Sequence, residues 1–349
     1  METIADPFVV VIGAGAMGGT MAAALVRGGA RVAILDTDAA HVSAINDEGL
    51  RVHGLSKHED AMSLNVPANC VAPGAAVADL AVVMTPAFET SAAAQTAAAV
   101  LKPGGSAVSL QNGLGNAEAL IDVLGHERVF MGSTRASADR PALGCPRVTK
   151  MDPTKVGELN GQTSERATWL AACLDRGGMP SSVTENIQGV LWSKFIHNCC
   201  INALSAITGL RMGEVTRIPD LGALRYAISD EALAVARANR IRLEHPDPLP
   251  KMEIHVWRKF TKPSMLQHVD QGRMIEIDAI NGWLVREATR LGLSVPVNQV
   301  VTALARGRAQ AQIIASGPTP DYAALTATAE AEIDRGDRPW ERLSKEERA

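Results

Sequence analysis

Aromatic side chains are scarce: Phe, Tyr and Trp together make up 3% of the 349 residues. That argues against the stacked aromatic platforms on which single-stranded nucleic acids are bound. A basic excess is missing as well. The 34 Lys and Arg face 38 Asp and Glu, a formal net charge of −4, the wrong sign for a general nucleic-acid binder. Cysteines are few: Cys70, Cys145, Cys173, Cys199 and Cys200 form no CxxC pair, and no histidine stands at zinc-finger spacing from them. Neither a disulfide framework nor a metal site is expected, and a reducing compartment fits. No apolar run approaches the roughly 18 residues of a membrane span. The opening METIADPFVVVIGAG lacks a basic leader region, so the expectation is a cytoplasmic chain with no membrane role.

What is present is an ordinary globular mix, 46% hydrophobic and 21% charged, at a length that suggests two domains of about 150 residues each. The first half alternates short apolar runs with Ala-rich helical stretches. Runs at 8–12, 31–35, 80–84 and 107–110 read as strands, with helices at about 16–27 and 91–101. Strand and helix in alternation imply a parallel sheet with crossover helices. After about Met179 the texture becomes helical, with long periodic segments at 185–205, 220–242, 277–291 and 298–315. The expected division is therefore 1–182 for an α/β domain, 183–316 for an all-helical domain and 317–349 for a charged, Pro-punctuated appendage.

Gly13-Ala14-Gly15-Ala16-Met17-Gly18 is a GxGxxG between a strand and a helix. Its first glycine suits a tight turn, its second a close approach to a pyrophosphate, and its third close packing of helix on sheet. The helix start adds unpaired N–H groups for the anion. Gly13, Gly15, Ala16, Met17 and Gly18 are thus candidate dinucleotide contacts. Asp36 ends the next strand, 18 residues on from Gly18. A carboxylate there can accept from both adenosine ribose hydroxyls and repels a 2′-phosphate; it also reads as a plain strand-end acid. No Arg follows within ten residues, and NAD is expected over NADP.

Lys194, Asn198 and Asn202 stand at i, i+4 and i+8, drifting about 40° per step around a helix. They form one polar stripe among Trp192, Phe195, Ile196 and Ile201, facing either solvent or a ligand. A lysine with two amides suits a carbonyl substrate: the ammonium can protonate the oxygen while the amides hold it. His197 lies off the stripe and reads as a packing or surface histidine. Asn112 in Gln111-Asn112-Gly113 follows a strand at the carboxyl edge of the sheet, where open α/β folds bind ligands, and is equally a turn residue. Ser264 reads as the cap of the helix it opens, and Glu276 as lying near the start of the next one.

These segments together resemble the ketopantoate reductase (2-dehydropantoate 2-reductase) family: GAGAMG, the QNG at 111–113, TENIQGVLWSKFIHNCCINALSAITG and KPSMLQHVDQGRMIEIDAING. The likeness spans about residues 8 to 315. It implies an N-terminal Rossmann-type parallel sheet, a C-terminal all-helical domain and a cleft between them. By that resemblance Lys194 is the general acid, Asn112 helps place the nicotinamide and Lys194, and Glu276 lies close to the cofactor or to Lys194. Asn198 and Asn202 contact the substrate, and Ser264 binds its carboxylate. The implied reaction is hydride transfer between NAD(H) and C2 of a 2-keto or 2-hydroxy acid, and the implied assembly is a homodimer through the helical domain. Asp36-Thr37-Asp38 stands where the family commonly has a basic residue, and Pro86-Ala87-Phe88-Glu89 replaces its Lys-Ala-x-Gln. Both favour NAD. Met212 and Thr261 stand where the family often has asparagines, which counts against pantoate itself as product.

Two other readings compete. A D-2-hydroxyacid dehydrogenase on the same scaffold, with a branched or aromatic substrate, shares the chemistry. A non-catalytic dinucleotide-binding sensor does not, and needs no lysine in the cleft. The β-hydroxyacid dehydrogenases also pair a helical Lys with an Asn four residues on, but PSMLQ and EIDAING count against them.

Overall fold

The computed structural model describes residues 7–55, 61–72, 77–245 and 249–337. The first six residues of the N-terminal stretch and the end of the appendage, 338–349, lie outside the described residues. The first half runs β1 (Phe8–Ile12), α1 (Ala16–Arg27), β2 (Arg31–Leu35), α2 (Ala39–Glu48), β3 (Leu50–His53), β4 (Ala61–Leu64), β5 (Ala68–Asn69) and β6 (Ala78–Val83). It continues with α3 (Thr90–Val100), β7 (Leu101–Ser109), α4 (Asn116–Leu124), β8 (Val129–Thr134), β9 (Ser137–Ala142), β10 (Cys145–Lys150), β11 (Thr154–Gly157), α5 (Glu165–Arg176) and β12 (Ser181–Val183).

Val9, Val10 and Val11 are fully or almost fully buried, as a strand covered on both faces must be. Among the described residues they sit mid-sheet in the order β12-β11-β8-β7-β6-β1-β2-β5. β1 is parallel to both neighbours, Val10 pairing Ala33 of β2 on one side and Ala81 of β6 on the other. The chain winds outward from β1 through β2 and from β6 in the opposite direction. The carboxyl ends of β1 and β6 therefore flank a topological switch point, the usual crevice for a ligand.

Two features differ from the sequence expectation. β11 runs antiparallel to β8. A second, four-stranded sheet, β4-β3-β10-β9, packs against α1; its strands are too polar and too exposed to announce themselves as apolar runs. The division expected at 182 falls inside β12, at the edge of the larger sheet.

The second half comprises α6 (Ile187–Thr208), α7 (Met212–Val215), α8 (Pro219–Ala238), α9 (Leu249–Trp257), α10 (Ser264–Asp270), α11 (Asn281–Arg290), α12 (Pro296–Ser316) and α13 (Tyr322–Asp334). The helix expected from 277 starts instead with a single 3-10 turn, Ile277–Ala279. Ile280, at φ −111 and ψ −106, breaks the helical path before α11. α6 is the hub. The Asn186 side chain caps its start by accepting from the Gly189 N–H, and Gly209, at φ 76, ends it. It packs on α8, α10, α12 and β8. Trp192 and Phe195 on α6 each meet Trp283 edge to face at 5.6 Å between ring centroids, and meet each other at 5.5 Å. Burying each such ring stabilises the contact by about 2–3 kcal/mol.

The loop after β7 ties the two halves together. Leu114 N–H donates to the Ala279 carbonyl at 3.0 Å. Gly113 has φ +84, and a Cβ there would sit 2.4 Å from that same oxygen, so glycine is required both by conformation and by space. Among the described residues no helix is long and apolar enough to cross a membrane.

Candidate active site

The glycine loop lies at the switch point. Gly13 N–H donates to Leu35 O at 2.7 Å. A Cβ on Gly18 would come within 1.9 Å of the Gly13 carbonyl oxygen, so the start of α1 packs on the turn only without a side chain. A Cβ on Gly15, by contrast, meets nothing within 4 Å. The loop thus opens on free space where a pyrophosphate would lie, with no side chain capping the first turn of α1. Ala16 begins that helix, and Met17 packs partly buried against the sheet core. The residues fit a dinucleotide.

Asp36 is more than a strand-end acid. One of its oxygens accepts the Ala14 N–H at 2.6 Å and the other the Asp38 N–H at 2.9 Å. Buried His41 completes the clamp. Its Nδ1 accepts from Gly144 N–H at 2.9 Å, so Nε2 carries the proton and donates to Ala14 O at 2.8 Å. Glu89 lies within the field of Asp36: burial first, and then that neighbouring charge, raise its pKa above the usual carboxylate range. Arg140, at 3.7 Å, is paired with Asp38.

A second group gathers between the halves. Lys194 Nζ, on α6, donates to the carbonyl of Thr134 at the end of β8, at 2.8 Å. Burial pushes its pKa down to about 8, with the charge of Glu276 opposing the shift and Arg135 adding to it. Glu276 spans the junction. One oxygen accepts the Ala87 N–H at 3.0 Å and the other the Asn112 side-chain N–H at 3.4 Å. Burial raises its pKa, against those two N–H groups and against Lys194. Asn112 is held in turn by its carbonyl, which accepts from the Asn116 side chain at 3.0 Å. Gln111 anchors the same loop by donating to Thr85 O and to the Thr90 hydroxyl, both at 2.9 Å.

Asn198 and Asn202 continue the Lys194 face and are 8% and 5% exposed. Their side-chain amides make no hydrogen bond within the described residues. Neither residue is among the fully enclosed unpartnered side chains, so both amides reach the space beside Lys194 and are open to a ligand. Ser264 is the exposed first residue of α10, with Pro263 in the cap position and no side-chain cap. The capping role expected for it is therefore not present; the helix it opens, α10, packs on α6.

Sequence reasoning missed the Thr134 carbonyl and the Ala87 N–H, which are backbone groups with no residue signature. It also missed Arg135, an isolated arginine in a turn. The assembled group can do a specific piece of chemistry. An ammonium near its pKa, balanced by one carboxylate and flanked by open amides, can pass a proton to a carbonyl oxygen and take it back.

Residues 9–161 match the family profile described as ketopantoate reductase PanE/ApbA, and residues 186–309 match the one for its C-terminal part. A 2-dehydropantoate 2-reductase of Archaeoglobus fulgidus is 30% identical over 297 residues, 85% of this chain and 96% of that protein. The crystal structure of a PanE/ApbA family ketopantoate reductase from Ralstonia eutropha JMP134 aligns with a TM-score of 0.78 and 30% identity, over 87% of this chain and 99% of that one. The ternary structure of a D-mandelate dehydrogenase with NADH and anilino(oxo)acetate shares the fold at a TM-score of 0.79, with 23% identity over 87% of this chain and 99% of that one.

Proposed function

The chain belongs to the ketopantoate reductase family, and from that premise we propose that it reduces a 2-keto acid to the 2-hydroxy acid at the Lys194–Glu276 junction, with NADH as the preferred reductant. It is an oxidoreductase of a family that uses a nicotinamide dinucleotide. The observation that carries the residue assignment is Lys194, lowered to about 8 by burial, on the same α6 face as the open amides of Asn198 and Asn202.

The dinucleotide, when bound, supplies hydride to the carbonyl carbon. Lys194 donates a proton to the carbonyl oxygen as charge develops there. Asn198 and Asn202 direct their amides at the substrate, and Ser264 takes its carboxylate. Asn112 and Glu276 hold each other across the junction, so that Glu276 keeps an anion in the field of Lys194 and steadies its protonated form. Because the family also includes reductases of 2-dehydropantoate, that compound is the first substrate to test. Loss of reduced-nicotinamide absorbance is followed with NADH and NADPH in parallel. Turnover favouring NADH is expected; turnover with NADPH alone overturns the cofactor reading. The proposal extends to a cytoplasmic homodimer, in keeping with five unpaired thiols; light scattering at the monomer mass would refute the dimer.

A pH dependence follows with a definite sign. Lys194 is charged below its pKa of about 8, and reduction needs the charged form. The kcat for reduction is expected to fall as pH rises through about 8, and the kcat for oxidation to rise through the same range. Glu276→Gln removes a charge that holds the Lys194 pKa up, so the alkaline limb should move to lower pH. A limb that stays in place would show that Glu276 does not act on Lys194.

A further inference from the structure

α12 is apolar on both of its sides. Its inner side buries Asn298, Val301, Thr302, Ala305 and Ala309. On the outer side Val300, Leu304, Gly307, Ala311 and Ile314 keep within about 40° of one line along the helix, and all five are exposed, Val300 by 59% and Leu304 by 54%. A Cβ on Gly307 would meet nothing within 4 Å, so the middle of this face is open. A surface helix ordinarily turns polar residues outward, and a contiguous apolar face in that place marks a contact surface.

Its complement lies in the same sequence. α13 buries none of its residues. Tyr322, Leu325, Ala329 and Ile333 keep within about 45° of one line along it, and its three large apolar side chains are 62%, 57% and 48% exposed. The charges match as well. α12 carries Arg306 and Arg308 and no acid, whereas α13 carries Glu330, Glu332 and Asp334 and no base. The two arginines flank the α12 stripe on either side, as Glu330 and Glu332 flank that of α13, the arrangement in which paired helices add ion pairs to an apolar seam. Arg306 holds Asp278 over exposed surface, and Arg308 donates to the neutral Gln312 side chain at 3.2 Å. Aligning the stripes, in either direction, sets Ala329 opposite Gly307 and brings both glutamates within about one turn of the arginines. Two small residues at the centre allow the helices a close approach.

The connector directs α13 away from its own α12. Gly317 and Thr319 each precede a proline, which favours extended backbone, and Gly317 is extended at φ −95 and ψ −175. Pro-rich connectors are stiff, at about 3.1 Å per residue, so residues 317–320 carry the chain onward. The family match ends at residue 309, and α13 is an addition beyond it. Resting on the homodimer reading above, we propose that α13 of each copy lies on the outer face of α12 of the other. The exchange is isologous: each copy gives one helix and receives one, which covers both exposed stripes and closes the pair.

Full-length chains carry the test. Light scattering is expected to give the dimer mass for the parent. Leu304→Glu and Leu325→Glu, made separately, each put a carboxylate into the seam twice per dimer and are expected to raise the dimer Kd about a hundredfold or more. Retained NADH binding shows that a variant has folded, and a cysteine pair decides where one has not. With exposed Cys70 removed by Cys70→Ser, a chain bearing Gly307→Cys and a chain bearing Ala329→Cys are co-expressed and treated with a short bis-maleimide. A covalent dimer is expected from the pair and from neither chain alone. No covalent dimer from the pair, with a dimer mass that neither glutamate changes, overturns the exchange and leaves the homodimer reading standing. A chain bearing both cysteines that links only within itself places α13 on its own α12 and overturns the exchange likewise. A parent at the monomer mass overturns the exchange and the homodimer together.

Discussion

Lys194→Ala is expected to lower kcat for keto-acid reduction about a thousandfold while leaving NADH affinity within about threefold of the parent. A general acid contributes about 10²–10⁴ in rate, and a factor of 10³ corresponds to about 4 kcal/mol of barrier. The site gives a reason to expect at least the middle of that range. Lys194 reaches Thr134 O and the field of Glu276, and nothing in its contacts touches the glycine loop, so cofactor binding and proton delivery separate. Its loss also leaves Glu276 buried without its cation, which pushes that carboxyl further upward. Lys194→Arg should not restore the rate, because a guanidinium stays charged and does not release a proton near pH 8. A small primary amine added to the Lys194→Ala enzyme should restore part of it. A kcat for the alanine variant within threefold of the parent would remove Lys194 from the chemistry.

How much of this was legible in the residues depended on how local the signal was. β1, α1 and β2 coincide with the runs at 8–12, 16–27 and 31–35, because buried-strand composition and a glycine turn are written in neighbouring residues. The Lys194–Asn198–Asn202 stripe was readable for the same reason: helical periodicity alone puts the three on one face. The site's second half was not readable in that way. Glu276 meets Ala87 across 189 residues of sequence and Asn112 across 164, and its burial arises only when the loop after β7 docks on the turn at 277–279. Ser264 shows the limit of local rules. A serine opening a helix suggests a cap, yet Pro263 takes the cap position and the hydroxyl is left open. The second sheet escaped because strands such as Ala61–Leu64 bury little.

Asp36 is where the sequence argument and the structure combine into a sharper prediction than either gives alone. A strand-end carboxylate suggests ribose recognition, but here the same carboxylate also clamps the glycine loop through Ala14 N–H. Asp36→Ala should therefore weaken both cofactors by loosening the loop, and should in addition remove a charge that repels a 2′-phosphate. These two effects are separable: the clamp acts on NADH and NADPH equally and cancels in their ratio, whereas the charge does not. Glu89, already raised by burial and by Asp36, adds a second carboxylate to the same region. The double variant Asp36→Ala, Glu89→Lys reverses its sign. Each repulsive contact removed is worth on the order of 1–2 kcal/mol, so the NADPH-to-NADH ratio of kcat/KM is expected to rise about tenfold in the single variant and about a hundredfold in the double. If both KM values rise together and the ratio holds, Asp36 serves the loop alone and does not select between the two cofactors.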